Sequence, residues 1–181
     1  MKSLQSLASF FLIVGLVYYS FLSLMPQKGS PSSVAETKFS TERALIPLKE
    51  ITKAPHYIGT KEHARVRNYL IGQLEELGLE TQVQEGFVIN PKWKSLDKPK
   101  NIIAKIQGSE NGKSLLLLSH YDSALTPSYG ASDAGSGVVT ILETLRAYKA
   151  SGKKPKNDII VLFTDAEEVG LDGARLFVNK H

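Results

Sequence analysis

Two unbroken apolar runs, SLLLLS (114–119) and DIIVLFT (158–164), constrain this chain more than any other feature. Neither alternates polar with apolar, as a half-solvated strand must. Each therefore reads as a strand covered on both faces. Between them, AGSGVVTILETLRAYKA (134–150) repeats apolar residues with helical spacing and packs through Val138, Ile141, Leu142 and Leu145. Alternating buried strands and helices specify an α/β domain, a mixed β-sheet with helices on both faces. Sites in such sheets form where strands reach their carboxyl ends. His120 and Asp122 follow the first run, and Glu167 and Glu168 follow the second. The pattern thus predicts both charged clusters at one sheet edge.

The rest of the chain fits this frame. Ser40 caps a first helix through TERALIPLKEIT, bent or delayed by Pro47, and Thr60 caps a second over KEHARVRNYLIGQLEEL. Val66, Leu70, Leu74 and Leu77 share one face of that second helix, and Gly78 ends it. LETQVQEGFVI and NIIAKIQG read as strands, and GLDGARLFVNK begins a last helix. With 42% hydrophobic residues the chain can bury a core. The lysines behind its net charge of +4 cluster in NPKWKSLDKPK (90–100) and SGKKPKND (151–158). Prolines and an acidic residue in each run, with Trp93 alone able to stack on a base, make them solvated loops rather than a nucleic-acid surface. With no cysteine, disulfides, thiolate ligands and a cysteine nucleophile are excluded.

Residues 1–25 read as a transmembrane signal anchor. Leu7 to Met25 carries no charge and approaches the roughly 20 residues a membrane-spanning helix needs. Lys2 ahead of it favours a cytoplasmic N-terminus; a cleaved signal peptide is the alternative, for which the apolar run is long and no small-residue cleavage site follows. The remainder is then extracytoplasmic, in a periplasm, at a cell surface or in an organelle lumen. The absence of any N-x-S/T sequon leans towards the first two. Residues 26–38, rich in Pro, Gly and Ser, read as a flexible linker, and the folded domain as 39–181.

A histidine and carboxylates without cysteine suit zinc or a related divalent ion. His120 offers one ring nitrogen to a metal, and Asp122 can accept the other N–H and orient the ring. Taken alone, the same pair is an ordinary surface His–Asp contact. Asp133 follows a Gly/Ser-rich loop and either faces the site or caps the helix. One of Glu167 and Glu168 can bind metal while its neighbour acts as general base; on an exposed helix start the pair would be unremarkable. Asp165 reads as turn or cap chemistry, and His56 and His63 as structural. Ser132 in GASDA approaches a serine-hydrolase elbow, with Ala134 where the last glycine belongs. No histidine and acid follow it in the expected order.

Together, SHYDS, GASDAGSGV and VLFTDAEEVGLDGARLF resemble the successive motifs of the M28 zinc aminopeptidases, and PHYIGTKEHARVRNYL and NIIAKIQG resemble that family's upstream segments. The anchored arrangement is most similar to the endoplasmic-reticulum metallopeptidase and vacuolar membrane protease branch. The resemblance implies hydrolysis of peptide or protein substrates by water activated at two zinc ions. Asp133 would bridge the ions, His120 would bind one and Glu168 the other. Glu167 would be the general base, and Asp122 would support His120. The family requires a further acidic ligand and a further histidine downstream. Asp172 lies too near Glu168 to serve, and His181 reads as a surface residue. The expectation is an N-terminal part of the domain, with an open sheet edge, weak zinc binding and little activity of its own. A non-catalytic module and a single-zinc glutaminyl cyclase are the alternatives on the same fold.

Overall fold

The computed structural model describes residues 2–25 and 28–181. Helix α1 (Lys2–Leu24) is followed by α2 (Thr41–Ile51), α3 (Lys61–Glu76), β1 (Thr81–Glu85), β2 (Val88–Asn90), β3 (Ser95–Asp97) and β4 (Lys100–Ile106). Then come β5 (Leu115–His120), α4 (Ser136–Ala150), β6 (Ile159–Thr164) and α5 (Asp172–Lys180). Four strands form a mixed sheet in the order β1-β4-β6-β5, and β2 and β3 pair as a separate hairpin. In the main sheet β1–β4 and β4–β6 are antiparallel, whereas β5 and β6 run parallel with His120 beside Thr164. That register brings the two charged loops together.

The local signals act as their chemistry requires. Ser40 Oγ accepts from Arg43 N at 3.2 Å, and Thr60 Oγ1 accepts from His63 N at 3.1 Å. Gly78 takes a positive φ of 70° and closes α3 with paired bonds, Gly78 N to Glu75 O and Leu79 N to Leu74 O. Val66, Leu70 and Leu74 of α3 and Val138, Leu142 and Leu145 of α4 bury against Ile102, Ala104, Val161 and Phe163 on one sheet face. Leu176 of α5 is buried outside that cluster, beside Gly86. The mixed sheet flanked by helices is as expected.

Several expectations need correction. Pro47 sits inside α2 and does not delay its start at Thr41. LETQVQEGFVI breaks at Gly86 into β1 and β2, and the lysine-rich segment 90–100 is a hairpin turn with β3, not a loop. The run SLLLLS is a strand, but Leu115, Leu116 and Leu118 are 55%, 42% and 52% exposed. The physical reason is position: β5 occupies an edge of the described sheet, where α4 and the turn at 131–135 lie against it.

The 26–38 segment also differs from a flexible linker. Its described part is strapped to α2 and α4. Arg43 donates to the carbonyls of Ser32, Val34 and Lys38, and Arg146 donates to those of Glu36 and Lys38. Ser30 and Thr41 exchange backbone-to-hydroxyl bonds at 3.2 and 3.0 Å. Two guanidinium groups thus satisfy a string of carbonyls that a Pro/Gly/Ser composition alone would leave to water.

Candidate metal centre

His120 ends β5, and its ring nitrogens face two ways. Nδ1 is 3.1 Å from the Asp122 carbonyl oxygen and 3.4 Å from Asp122 Oδ1. Nε2 donates to Asp133 Oδ1 at 2.9 Å and lies 3.7 Å from Glu167 Oε2. The imidazole is nearly enclosed, whereas the Asp133 side chain is 79% exposed.

Asp122 is buried beneath this group. Its Oδ1 accepts from Glu167 N and its Oδ2 from Glu168 N, both at 3.1 Å. One carboxylate therefore ties the loop after β5 to the loop after β6, and its own carbonyl steadies the His120 ring. Asp133 arrives by a tight irregular turn, Ala131–Gly135, entered through Gly130 at φ 62°. Gly135 N donates to Gly130 O at 2.8 Å. A Cβ on Gly135 would sit 2.6 Å from that oxygen, and one on Gly137 would sit 2.6 Å from Ser119 Oγ. The small residues of GASDAGSG therefore let the turn close and α4 start against β5.

Donor atoms of His120, Asp133 and Glu168 lie within 4.8 Å of one another, a group able to hold a metal ion. Four carboxylates, those of Asp122, Asp133, Glu167 and Glu168, surround one imidazole, and among the described residues no Lys or Arg pairs with them. Burial would lower the His120 pKa. Hydrogen bonds to Asp122 and Asp133 and the charges of Asp122 and Glu167 outweigh it and raise it to about 9. Burial, then the Asp133 charge, raises the Glu168 carboxyl above its usual range. An excess of negative charge with one nitrogen and several oxygens fits a divalent ion such as zinc.

The other candidates fall elsewhere. His56 is buried, and its Nδ1 lies 3.0 Å from Ala54 O. His63 stacks on Tyr121 with ring centres 4.9 Å apart and donates to Asp165 Oδ1 at 2.8 Å. Asp165 does accept from Ala166 N, as a turn residue would. It also accepts from Lys100 N at 2.7 Å, so it joins α3, β4 and β6 under the site. Sequence reasoning missed that hub because His63 and Lys100 lie 102 and 65 residues from Asp165. The His181 ring centre lies 4.5 Å from that of Phe177, outside the cluster. Ser132 is exposed, and among the described residues its hydroxyl meets no histidine or acid.

Residues 101–181 match the model of Peptidase family M28. The chain is 35% identical over 75% of its length to a vacuolar membrane protease of Schizosaccharomyces japonicus, covering 17% of that protein. It is 29% identical over 93% of its length to the vacuolar membrane protease of Schizosaccharomyces pombe, covering 21% of it. A Zn-dependent exopeptidase from Parabacteroides distasonis is 28% identical with TM-score 0.64, over 74% of this chain and 49% of that one. A Bacteroides thetaiotaomicron glutaminyl cyclase is 30% identical with TM-score 0.64, over 72% and 48%. The chain thus spans about a fifth of the length of these curated relatives and half of these solved structures. The M28 resemblance read from the motifs stands.

Proposed function

We propose that this chain, whose residues 101–181 match Peptidase family M28, supplies the metal-binding edge of a membrane-tethered zinc aminopeptidase. The observation that supports it is the convergence of His120, Asp133 and Glu168 at the joined ends of β5 and β6. His120 and Glu168 would hold separate zinc ions, and Asp133, the most exposed of the three, would bridge them. Bound zinc supplies Lewis acidity toward a peptide carbonyl and a water of lowered pKa. Asp122 keeps Glu167 and Glu168 at the mouth by holding their amides. Glu167, one third exposed and accessible to water, accepts the proton of the attacking water and returns it to the departing amine.

Among the described residues no further histidine reaches the cluster, and a second ion would need ligands beyond His120, Asp133 and Glu168. Helix Leu4–Leu24 has mean hydropathy 2.0 and none of its residues is buried in the protein, as in a membrane span. We place residues 1–25 in the membrane with the N-terminus cytoplasmic and the domain on the far side.

The test is zinc content and aminopeptidase activity in a longer chain carrying the complete domain, wild type beside Glu167→Gln. Two bound zincs, activity lost to chelation, and a roughly 10²–10⁴-fold loss in Glu167→Gln with zinc retained are expected. A zinc-free protein ends the proposal. Cyclisation of N-terminal glutamine with no peptide hydrolysis would replace it with the reaction named for the glutaminyl cyclase neighbours.

A further inference from the structure

A second group of acids lies on the other side of the Glu167–Glu168 loop. Strand β3 points Ser95 and Asp97 to the same face of its hairpin, two residues apart. Opposite them in register, Asn90 pairs with Ser95 and Val88 with Asp97. Asp172, the first residue of α5, packs onto that face. Its Oδ1 accepts from Asn90 Nδ2 at 2.9 Å, and its side chain is 0% exposed. Asp97 lies within hydrogen-bonding reach of Asp172.

Three buried oxygens there have no partner: Ser95 Oγ, Asp97 Oδ2 and Asp172 Oδ2. They are all the unpartnered buried side-chain atoms among the described residues, and all lie around Asp172: Ser95 is the register partner of Asn90, whose amide holds Asp172, and Asp97 neighbours Asp172 directly. Arg175 Nε is 3.7 Å from Asp172 Oδ1, and the Arg175 side chain is half exposed. One guanidinium at that range leaves the pair with uncompensated negative charge. Two adjoining carboxylates cannot both stay ionised in a buried place without a countercharge. Burial and the neighbouring Asp97 raise the Asp172 carboxyl, against the pull of Asn90.

We infer that Ser95, Asp97 and Asp172 form a site for a hard divalent cation of the calcium type, separate from the His120 cluster. The donors are oxygen only, with no imidazole, which disfavours zinc and favours calcium. Ser95 and Asp97 are only partly buried, so waters can complete the six to eight ligands calcium takes. Such an ion would pin the β2–β3 hairpin to the start of α5. Asn90 Nδ2 also donates to Gly170 O at 3.2 Å, and Gly170 N donates to Glu167 O, so the same joint supports the acidic loop.

The experiment uses the full chain in detergent micelles with terbium as the luminescent calcium probe. Trp93, the chain's single tryptophan, sits two residues before Ser95 and serves as sensitiser. Sensitised emission displaced by calcium but not by zinc is expected. It should persist in Glu168→Gln and weaken by roughly tenfold or more in Asp97→Asn, with a smaller loss in Ser95→Ala. Calcium should also raise the unfolding temperature of wild type and not of Asp97→Asn. Emission that survives Asp97→Asn and vanishes in Glu168→Gln overturns the site. So does a wild-type unfolding temperature indifferent to calcium, which leaves the two aspartates joined by a shared proton.

Discussion

Two clusters of ionisable groups sit along α4, one at its middle and one just ahead of its amino end, and they use similar residues to different ends. At mid-helix, buried Glu143 accepts from Arg43 Nε at 3.1 Å, from Arg146 Nε at 2.6 Å and from Ser40 N at 2.9 Å. Arg146 also pairs with Glu36 at 2.6 Å, so two acids face two guanidiniums and the charge closes within the protein. At the amino end, Asp122 is buried as deeply, but its partners are backbone amides and one imidazole. There the carboxylates outnumber the bases. A cluster that balances its own charge is finished when the chain folds. One that keeps an excess is complete only when a cation arrives, and that difference separates the strap from the site.

Breaking the balanced cluster gives the largest effect. Glu143→Ala leaves two guanidiniums facing a hole, although the carbonyls of residues 32–38 still accept from them. A loss of about 3 kcal/mol is expected, at the low end for a broken buried ion pair. At this chain length each kcal/mol lowers the unfolding temperature by about 2–4 °C. Zinc affinity should not change. Calorimetry with a zinc titration checks both, and a coupled loss of zinc affinity would mean that the two clusters are one unit.

Breaking the unbalanced cluster from beneath tests the other half. In Asp122→Asn the amide offers one acceptor where two loop amides need holding, and its NH₂ meets Glu167 N or Glu168 N unfavourably. Zinc affinity should fall by roughly 10–100-fold, as for carboxylates that steady a ligand. The fall should come with increased hydrogen exchange at residues 166–170. Tight zinc binding with that loop loosened would show that the clamp is not what positions Glu168.

The two clusters were not equally legible. His120 and Glu168 could be placed together from sequence because each follows an apolar run, and parallel neighbouring strands end at the same edge. Asp133 came with its glycines, whose need for space is local. The strap left no such trace. Arg43 and Glu143 are one hundred residues apart, so no window along the chain holds both. Its carbonyl acceptors lie in a segment whose composition speaks for disorder. Asp122 was legible as a neighbour of His120, two residues away. Its grip on the Glu167 and Glu168 amides depends on a strand pairing that only the fold supplies. The exposed leucines of β5 misled for a related reason, since an unbroken apolar run reports capacity for burial and not what lies against it.

Acidity separates the clusters by sign, with the smallest effect. Burial would raise the Glu143 carboxyl, but hydrogen bonds from Arg146, Ser40 and Arg43 outweigh it and hold it below the usual 4.5. A carboxylate whose folded pKa is lowered stabilises above its unfolded value, and that support is lost as pH falls through the folded one. His120 in the metal-free protein does the reverse. Raised from 6.5 to about 9, it stabilises fully below 6.5 and gives up that support as pH climbs to 9. The effect is modest because one of its partners, Asp133, is largely in water and screened. Unfolding temperatures of metal-free protein should therefore drop between pH 6.5 and 9, and His120→Gln should flatten that slope without altering the acid limb. Zinc must displace the His120 proton, so its affinity should rise over the same interval. A high-pH slope that persists in His120→Gln would assign it to some other group and remove the titration contrast between the two clusters.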